Sequence, residues 1–302
     1  MTRIKEIADV DVVEEAAIQT KDELLKVIDA YDGAIVALPP FDREVLAKAS
    51  KLRIISRYGV GYDTIDVDAA REHSIYVSVT PVHAETVADM AFALMLSAAR
   101  LIPQAHMHIK NGMWRKNSDR ALFVGTDVYE KTLGIIGLGR IGSVLAKRGR
   151  DFDMKMLYYD AFRNGELEKS LSVGYRSLHE LLAESGFVSI HIPLTKDTEG
   201  LIGEEELRTM KKTAILVNAS RGEVVDEKAL YRALKEGWIG GAVLDVFDQE
   251  PIGSDNPLLT LENFILTPHI SSTTKECRCK TALLAVENAI RVLQGAKPLY
   301  TV

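Results

Sequence analysis

The chain predicts an α/β fold: parallel sheets covered by helices on both faces, divided between two domains. Two observations carry that prediction. Short apolar runs rich in Val and Ile alternate with helix-like segments from one end to the other, as a strand–helix–strand repeat requires. The 302 residues, 47% of them apolar, also exceed what one core comfortably holds, since single cores stop growing near about 250–300 residues.

In the first part, strands are predicted at Ala34 to Leu38, Leu52 to Ser56 and Ile75 to Ser78, with helices such as Arg43 to Ala49 between them. A helix from Ala84 to Arg100 carries small and apolar residues nearly all round, as a buried connector between domains does. Ile102 to Lys131 shows little periodicity and contains Asn111-Gly112; it reads as a long excursion, an arm for pairing subunits. From Thr132 the alternation sharpens. Strands follow at Thr132 to Ile136, Lys155 to Tyr159, Val188 to Ile192, Ala214 to Asn218, Ala242 to Asp245 and Phe264 to Thr267. An amphipathic helix from Thr274 to Leu293 comes after a crossover at Pro268 and is expected to return to the first domain. The domains are therefore expected at 1–83 plus 271–302 and at 84–270.

With 26% charged residues and a formal net charge of −6, the chain has no general attraction to nucleic acid or to an acidic membrane surface. Its expected partners are small molecules. Cys277 and Cys279 stand two apart in a helix and point to different faces, so no disulfide framework is expected, and no metal site. The opening residues MTRIKEIADV lack an apolar signal stretch, and the run from Met90 to Ala99 is far shorter than a membrane span of about 20 residues. The expectation is a soluble, cytoplasmic protein.

Leu133-Gly134-Ile135-Ile136 leads directly into Gly137-Leu138-Gly139-Arg140-Ile141-Gly142, with a helix continuing beyond. This is GxGxxG between a strand and a helix. The first glycine permits the tight turn, the second lets backbone amides approach a pyrophosphate, and the third lets helix and strand pack closely. The helix N-terminus offers free N–H groups and a partial positive charge. The next strand ends in Asp160, whose carboxylate suits the ribose hydroxyls and repels a 2′-phosphate, so NAD is expected rather than NADP.

Ligands bind outside the carboxyl ends of strands in open parallel sheets. Three residues stand there: Arg221 after the strand ending at Asn218, Glu250 after Asp245, and His269 after Thr267. Hydride transfer to a keto acid needs a cation for the carboxylate and carbonyl oxygen, and a proton donor for the developing alkoxide. Arg221 and His269 meet those needs. Glu250, paired with the histidine, would favour imidazolium and fix the ring.

These residues resemble the D-2-hydroxyacid dehydrogenase family, which includes phosphoglycerate dehydrogenases and glyoxylate/hydroxypyruvate reductases. The resemblance runs through Tyr58 to Asp66, Thr86 to Asp89, Gly137 to Gly142, His191 to Thr195, Asn218 to Gly222, Asp245 to Pro251 and Thr267 to Ile270. It implies a Rossmann-type NAD-binding domain inserted in a smaller flavodoxin-like substrate domain, both doubly wound, in a homodimer. It implies that Arg221 orients substrate, that His269 is the acid/base with Glu250 as its partner, and that Asp245 contacts the nicotinamide amide. Val60 and Gly61 would offer amides to the substrate carboxylate, while Thr80, Arg140, Ile141, Asp160 and Ala219, Ser220 and Arg221 would line the cofactor. Two departures stand out: Asp89 replaces the family's usual Glu, and the family's first strand and helix are expected to be missing or heavily remodelled.

Arg57 lies two residues ahead of Gly59 and could meet a substrate phosphate. That favours D-3-phosphoglycerate as substrate; a glyoxylate or hydroxypyruvate reductase is the alternative in which Arg57 has no such task. An NAD(H)-sensing binding protein of the same fold is the reading from another class. His73, His83, His106, His108, His179 and His191 are expected to be structural or superficial.

Overall fold

The computed structural model describes residues 2–13, 18, 20–37 and 39–302, with the side chains of Thr2 and Arg3 left out. The chain forms two compact units, Met1–His83 with Thr273–Val302, and Ala84–Ser272. The larger unit is inserted, in sequence, within the smaller.

The smaller unit is built on three parallel strands in the order β1 (Gly33–Val36), β2 (Ile54–Arg57), β3 (Tyr76–Ser78). The expected end of the first strand, Leu38, lies outside the described residues. Helices α1 (Thr2–Lys5), α2 (Lys21–Val27), α3 (Arg43–Lys48) and α4 (Val67–Glu72) belong to this unit, and the last three begin where a side chain satisfies their orphan N–H groups. Thr20 and Glu23 form a capping box on α2, Asp42 accepts from the amides of Glu44 and Val45, and Asp66 accepts from that of Ala69. Leu24, Ile28, Phe41, Val45, Leu46, Ile55, Ala69 and Val77 make a core on one side of the sheet. The long α12 (Lys275–Leu293) packs on the strands, joined to them by two buried polar groups. Ser56 donates to the carbonyl of Ala285, and Asn288 donates to that of Val79 while accepting from Leu299 N–H. The strand order runs one way, without the reversal of a doubly wound sheet, because the described residues ahead of β1 supply helix rather than a strand for its outer edge.

The larger unit carries a seven-stranded, wholly parallel sheet in the order β10-β9-β8-β7-β4-β5-β6. The strands are β4 (Thr132–Ile136), β5 (Lys155–Tyr159), β6 (Gly174–Tyr175), β7 (Phe187–Ile190), β8 (Ile215–Asn218), β9 (Gly241–Leu244) and β10 (Phe264–Leu266). Every residue of β7, β8 and β9 is buried, as expected of strands covered on both faces. Helices α5 (Ala84–Ala99), α6 (Ile102–Lys110), α7 (Arg140–Asp151), α8 (Gly165–Leu171), α9 (Leu178–Glu184), α10 (Glu204–Thr209) and α11 (Glu227–Lys235) complete the unit. One core lies under α9, α10 and α11, the other under α5, α7 and α8. Asp89, although one methylene shorter than the family's usual Glu, still accepts from Arg148 Nε at 2.7 Å and ties α5 to α7. The excursion after α5 is not irregular throughout: α6 is helical, yet it buries none of its residues, so no apolar stripe marks it in the sequence. Cys277 is buried and Cys279 exposed on α12. Among the described residues no single helix is long and apolar enough to cross a membrane.

Candidate active site

The sheet of the larger unit reverses its strand order at β4, and the glycine turn leaves β4 at that point. Such a reversal opens a crevice at the carboxyl ends of the strands. Gly137 has φ +94°, and a Cβ on it would come within 2.7 Å of the His191 carbonyl oxygen. A Cβ on Gly142 would run into the carbonyl of Gly137. Gly139, the N-cap of α7, faces space that a Cβ would enter without meeting any protein atom within 4 Å. The first and third glycines therefore serve packing, and the second keeps a cradle clear before a 12-residue helix. Asp160 stands against this turn, its Oδ2 accepting from Leu138 N–H at 2.9 Å and its Oδ1 from Phe162 N–H at 3.4 Å. These residues fit a dinucleotide: the amides at the start of α7, with exposed Arg140 and half-buried Ile141 in its first turn, would hold the pyrophosphate. Asp160 would take the ribose.

The three chemical residues hang from adjacent strands, Arg221 after β8, Glu250 after β9 and His269 after β10. His269 Nδ1 lies 2.7 Å from Glu250 Oε2, and Glu250 Oε1 accepts from Phe247 N–H at 3.1 Å. Both side chains retain exposure, 49% for His269 and 37% for Glu250, so a ligand can reach them. With Nδ1 turned to Glu250, Nε2 is the nitrogen able to hand over a proton. The hydrogen bond to Glu250 raises the His269 pKa against the opposing effect of burial, helped by the charges of Glu250 and Asp245; Arg221 pulls the other way. Burial would raise the Glu250 carboxyl, but the hydrogen bonds from His269 and Phe247 and the nearby charges hold it below its usual value. Arg221 is placed by Asn218, fully buried at the end of β8. Asn218 Nδ2 donates to the Arg221 carbonyl at 2.7 Å, and its Oδ1 accepts from Ser220 N–H and Oγ–H at 3.0 and 2.8 Å. Arg221 Nη1 in turn donates to the Ser220 carbonyl.

Asp245 differs from its expected part. It is 0% exposed, and its carboxylate is taken up by four donors. Oδ1 accepts from Thr267 Oγ–H at 2.5 Å and Ile270 N–H at 3.0 Å; Oδ2 accepts from Ser271 N–H at 2.8 Å and Oγ–H at 2.5 Å. Its lone pairs are spent on the turn that bears His269 rather than held open for a nicotinamide amide. The same turn is fixed by His269 N–H donating to the Asp245 carbonyl at 2.8 Å, with His269 at φ +51°. Thr267, Ser271 and Asn218 are thus residues that the reading of single positions passed over. The signal available was a hydroxyl two residues to either side of the histidine, and an amide closing an apolar strand.

In the smaller unit, Gly59 (φ +144°) turns the chain after β2. Thr80, 0% exposed, accepts from Gly59 N–H at 2.7 Å, so its hydroxyl builds the turn instead of lining a cofactor surface. Among the described residues none accepts a hydrogen bond from the N–H of Val60 or Gly61, which leaves both amides available to an anion. Arg57 donates through Nε to the Gly61 carbonyl at 2.6 Å and through Nη1 to that of Val36 at 3.3 Å. His191 follows β7 with Nε2 2.8 Å from Ser189 Oγ, while its Nδ1 is sealed from solvent without a partner. Among the described residues no three metal-ligating side chains come together.

The model of the D-isomer specific 2-hydroxyacid dehydrogenase NAD-binding domain matches residues 92–271. A glyoxylate reductase of Korarchaeum cryptofilum is 48% identical over 300 residues, covering 99% of this chain and 90% of the relative. A solved structure from Thermus thermophilus covers 100% of this chain and 95% of its own, with a TM-score of 0.89 and 38% identity. The structure of a glyoxylate reductase from Paecilomyes thermophila covers 94% of this chain and 89% of its own, with a TM-score of 0.86 and 34% identity. The chain therefore belongs to the D-isomer specific 2-hydroxyacid dehydrogenases, NAD-dependent oxidoreductases that act on a CH–OH group.

Proposed function

We propose that the chain is a glyoxylate reductase that also accepts hydroxypyruvate, two small unphosphorylated 2-keto acids. The observation that carries this over the 3-phosphoglycerate reading is the engagement of Arg57: its guanidinium hydrogen-bonds the carbonyls of Gly61 and Val36 and so shapes the loop that presents Val60 and Gly61. The relatives named glyoxylate reductase point the same way. NADH, when bound, supplies the hydride for the carbonyl carbon. Arg221 draws the substrate carboxylate and carbonyl oxygen into line and stabilises the negative charge that grows on that oxygen. His269 donates the proton from Nε2, and Glu250 keeps the ring protonated and oriented, a contribution of about 10²–10⁴ in rate for a general acid of this kind. In the reverse direction neutral His269 takes the proton from the hydroxyl.

The test is NADH consumption with glyoxylate, hydroxypyruvate and 3-phosphohydroxypyruvate side by side. The two unphosphorylated acids should show the higher kcat/KM, and Arg57→Ala should lower all three in similar proportion. Preference for the phosphorylated acid, lost selectively in Arg57→Ala, would return the chain to the phosphoglycerate reading. A flat absorbance with every acid, with NADH still bound, would make it a sensor. We further infer a homodimer in the cytoplasm. The support for pairing is the exposed apolar set Met107, Ile109, Trp114, Leu122 and Val124 on and after α6; a monomer by light scattering would refute it.

A further inference from the structure

The turn after β5 holds more than Asp160. In dinucleotide-binding folds this turn meets the 2′ position of the ribose, where an acid excludes a phosphate and an arginine welcomes one. Here both kinds of residue are present in Asp160-Ala161-Phe162-Arg163-Asn164. Arg163, however, is clamped. Its Nε and Nη2 donate to Glu168 Oε1 and Oε2 at 2.7 and 2.9 Å, a two-pronged pairing that takes up the Nε–Nη2 edge of the guanidinium. Glu168 is itself held: Oε1 also accepts from the buried Tyr158 hydroxyl at 2.7 Å, and the Tyr158 oxygen accepts from Asn164 N–H at 3.1 Å. Asn164 caps α8 through Leu167 N–H, and the guanidinium lies 5.3 Å from the centre of the Tyr175 ring. The hydrogen bonds from Arg163 and then Tyr158 hold the Glu168 carboxyl down to about 2, so the clamp stays charged throughout the neutral range. An ion pair this near the surface adds little to stability, which leaves its position in the turn as the feature to explain.

We propose that Glu168 is a cofactor-specificity residue: by engaging Arg163 it withholds the guanidinium that a 2′-phosphate would need, so selectivity for NAD rests on Glu168 as well as Asp160. The proposal rests on the NAD-binding reading of the turn. It makes Glu168 a positioning residue that acts through Arg163.

The experiment measures the affinities of NADH and NADPH by fluorescence, using the full chain. Glu168→Gln should raise the NADPH-to-NADH affinity ratio about threefold while Asp160 still opposes the phosphate, and the double variant with Asp160→Ser should exceed the product of the singles by about tenfold, one charged hydrogen bond's worth. Adding Arg163→Ala to the double variant should remove that excess. Independently of Glu168 substitution, Arg163→Ala on Asp160→Ser alone should leave NADPH affinity within about twofold, because the guanidinium is already engaged. Equal loss of NADH and NADPH affinity in Glu168→Gln would show a purely structural clamp and overturn the proposal. So would an NADPH gain that survives Arg163→Ala, or a large NADPH loss from Arg163→Ala on Asp160→Ser. Failure of the parent to bind NADH would instead overturn the reading of the glycine turn, before any substitution is made.

Discussion

Asp245→Asn tests the placement of the acid/base most directly. Each carboxylate oxygen accepts from one backbone N–H and one hydroxyl: Ile270 and Thr267 on Oδ1, Ser271 N–H and Ser271 Oγ–H on Oδ2. An amide replaces one oxygen by an NH2 donor. The hydroxyl on that side can rotate and accept, but the backbone N–H cannot. Whichever way the amide flips, one backbone N–H, part-buried at Ile270 or buried at Ser271, faces another donor, and all the remaining bonds lose their charge assistance. An unsatisfied buried donor costs about 1–3 kcal/mol and weakened charged bonds add to it, so the substitution should destabilise the larger unit by about 3 kcal/mol. Urea unfolding of the cofactor-free protein reads that change. The His269 turn should also loosen, lowering kcat at least about tenfold while NADH affinity changes little. If Asp245→Asn unfolds within about 0.5 kcal/mol of the parent and instead loses NADH affinity, the side chain serves the nicotinamide amide and the account of the turn given above is wrong.

Three further outcomes are expected. Glu250→Gln removes the main cause of the raised His269 pKa; since the proton donor is fully present below that pKa and lost as pH rises through it, the alkaline limb of the reduction should move to lower pH, and the oxidation should extend to lower pH. An unmoved limb in paired pH profiles would exclude Glu250 as the controlling partner. Burial pushes His191 down to about 4, so the unfolded chain takes up this proton near its ordinary value while the folded chain waits until about pH 4. Stability present above about 6.5 should therefore be lost as pH falls, by at most about 3 kcal/mol at pH 4. His191→Asn should flatten that loss in denaturant titrations at the two pH values. Gly142→Ala drives a methyl into the Gly137 carbonyl and should weaken NADH binding by about tenfold or more while the circular dichroism of the sheet persists; full affinity would show that the turn needs no third glycine.

The glycine turn was legible because a side chain at Gly137 or Gly142 would clash with backbone, and β8, β9 and β10 were legible as apolar runs followed within six residues by Arg221, Glu250 and His269. Strand boundaries moved by one or two residues, as in β2, Ile54–Arg57 in place of Leu52 to Ser56. Elements that bury nothing left no period to read. α6 is the clearest case, although Pro103 in its first turn was an available sign. β6, two residues long, is too short to show alternation. What sequence could not show was the saturation of Asp245, since its partners lie 22 to 26 positions away and only the β9–β10 pairing brings them together. The Arg163–Glu168 clamp was hidden for a different reason. Each residue alone is an ordinary surface charge, and meaning comes from the Tyr158 hydroxyl beneath them.

The strand order carries a consequence for how such a protein can change over time. Arg221, Glu250 and His269 occur along the chain in the order in which β8, β9 and β10 stand in the sheet, like teeth of a comb spaced by about 4.8 Å per strand. The backbone ladder, not the intervening loops, sets that spacing. The exposed turns at 236–237 and 254–255 can therefore lengthen, shorten or acquire new contacts without pulling one tooth away from its neighbours, while α11, which buries Ala229, Leu230, Ala233 and Leu234, is inherited with the sheet.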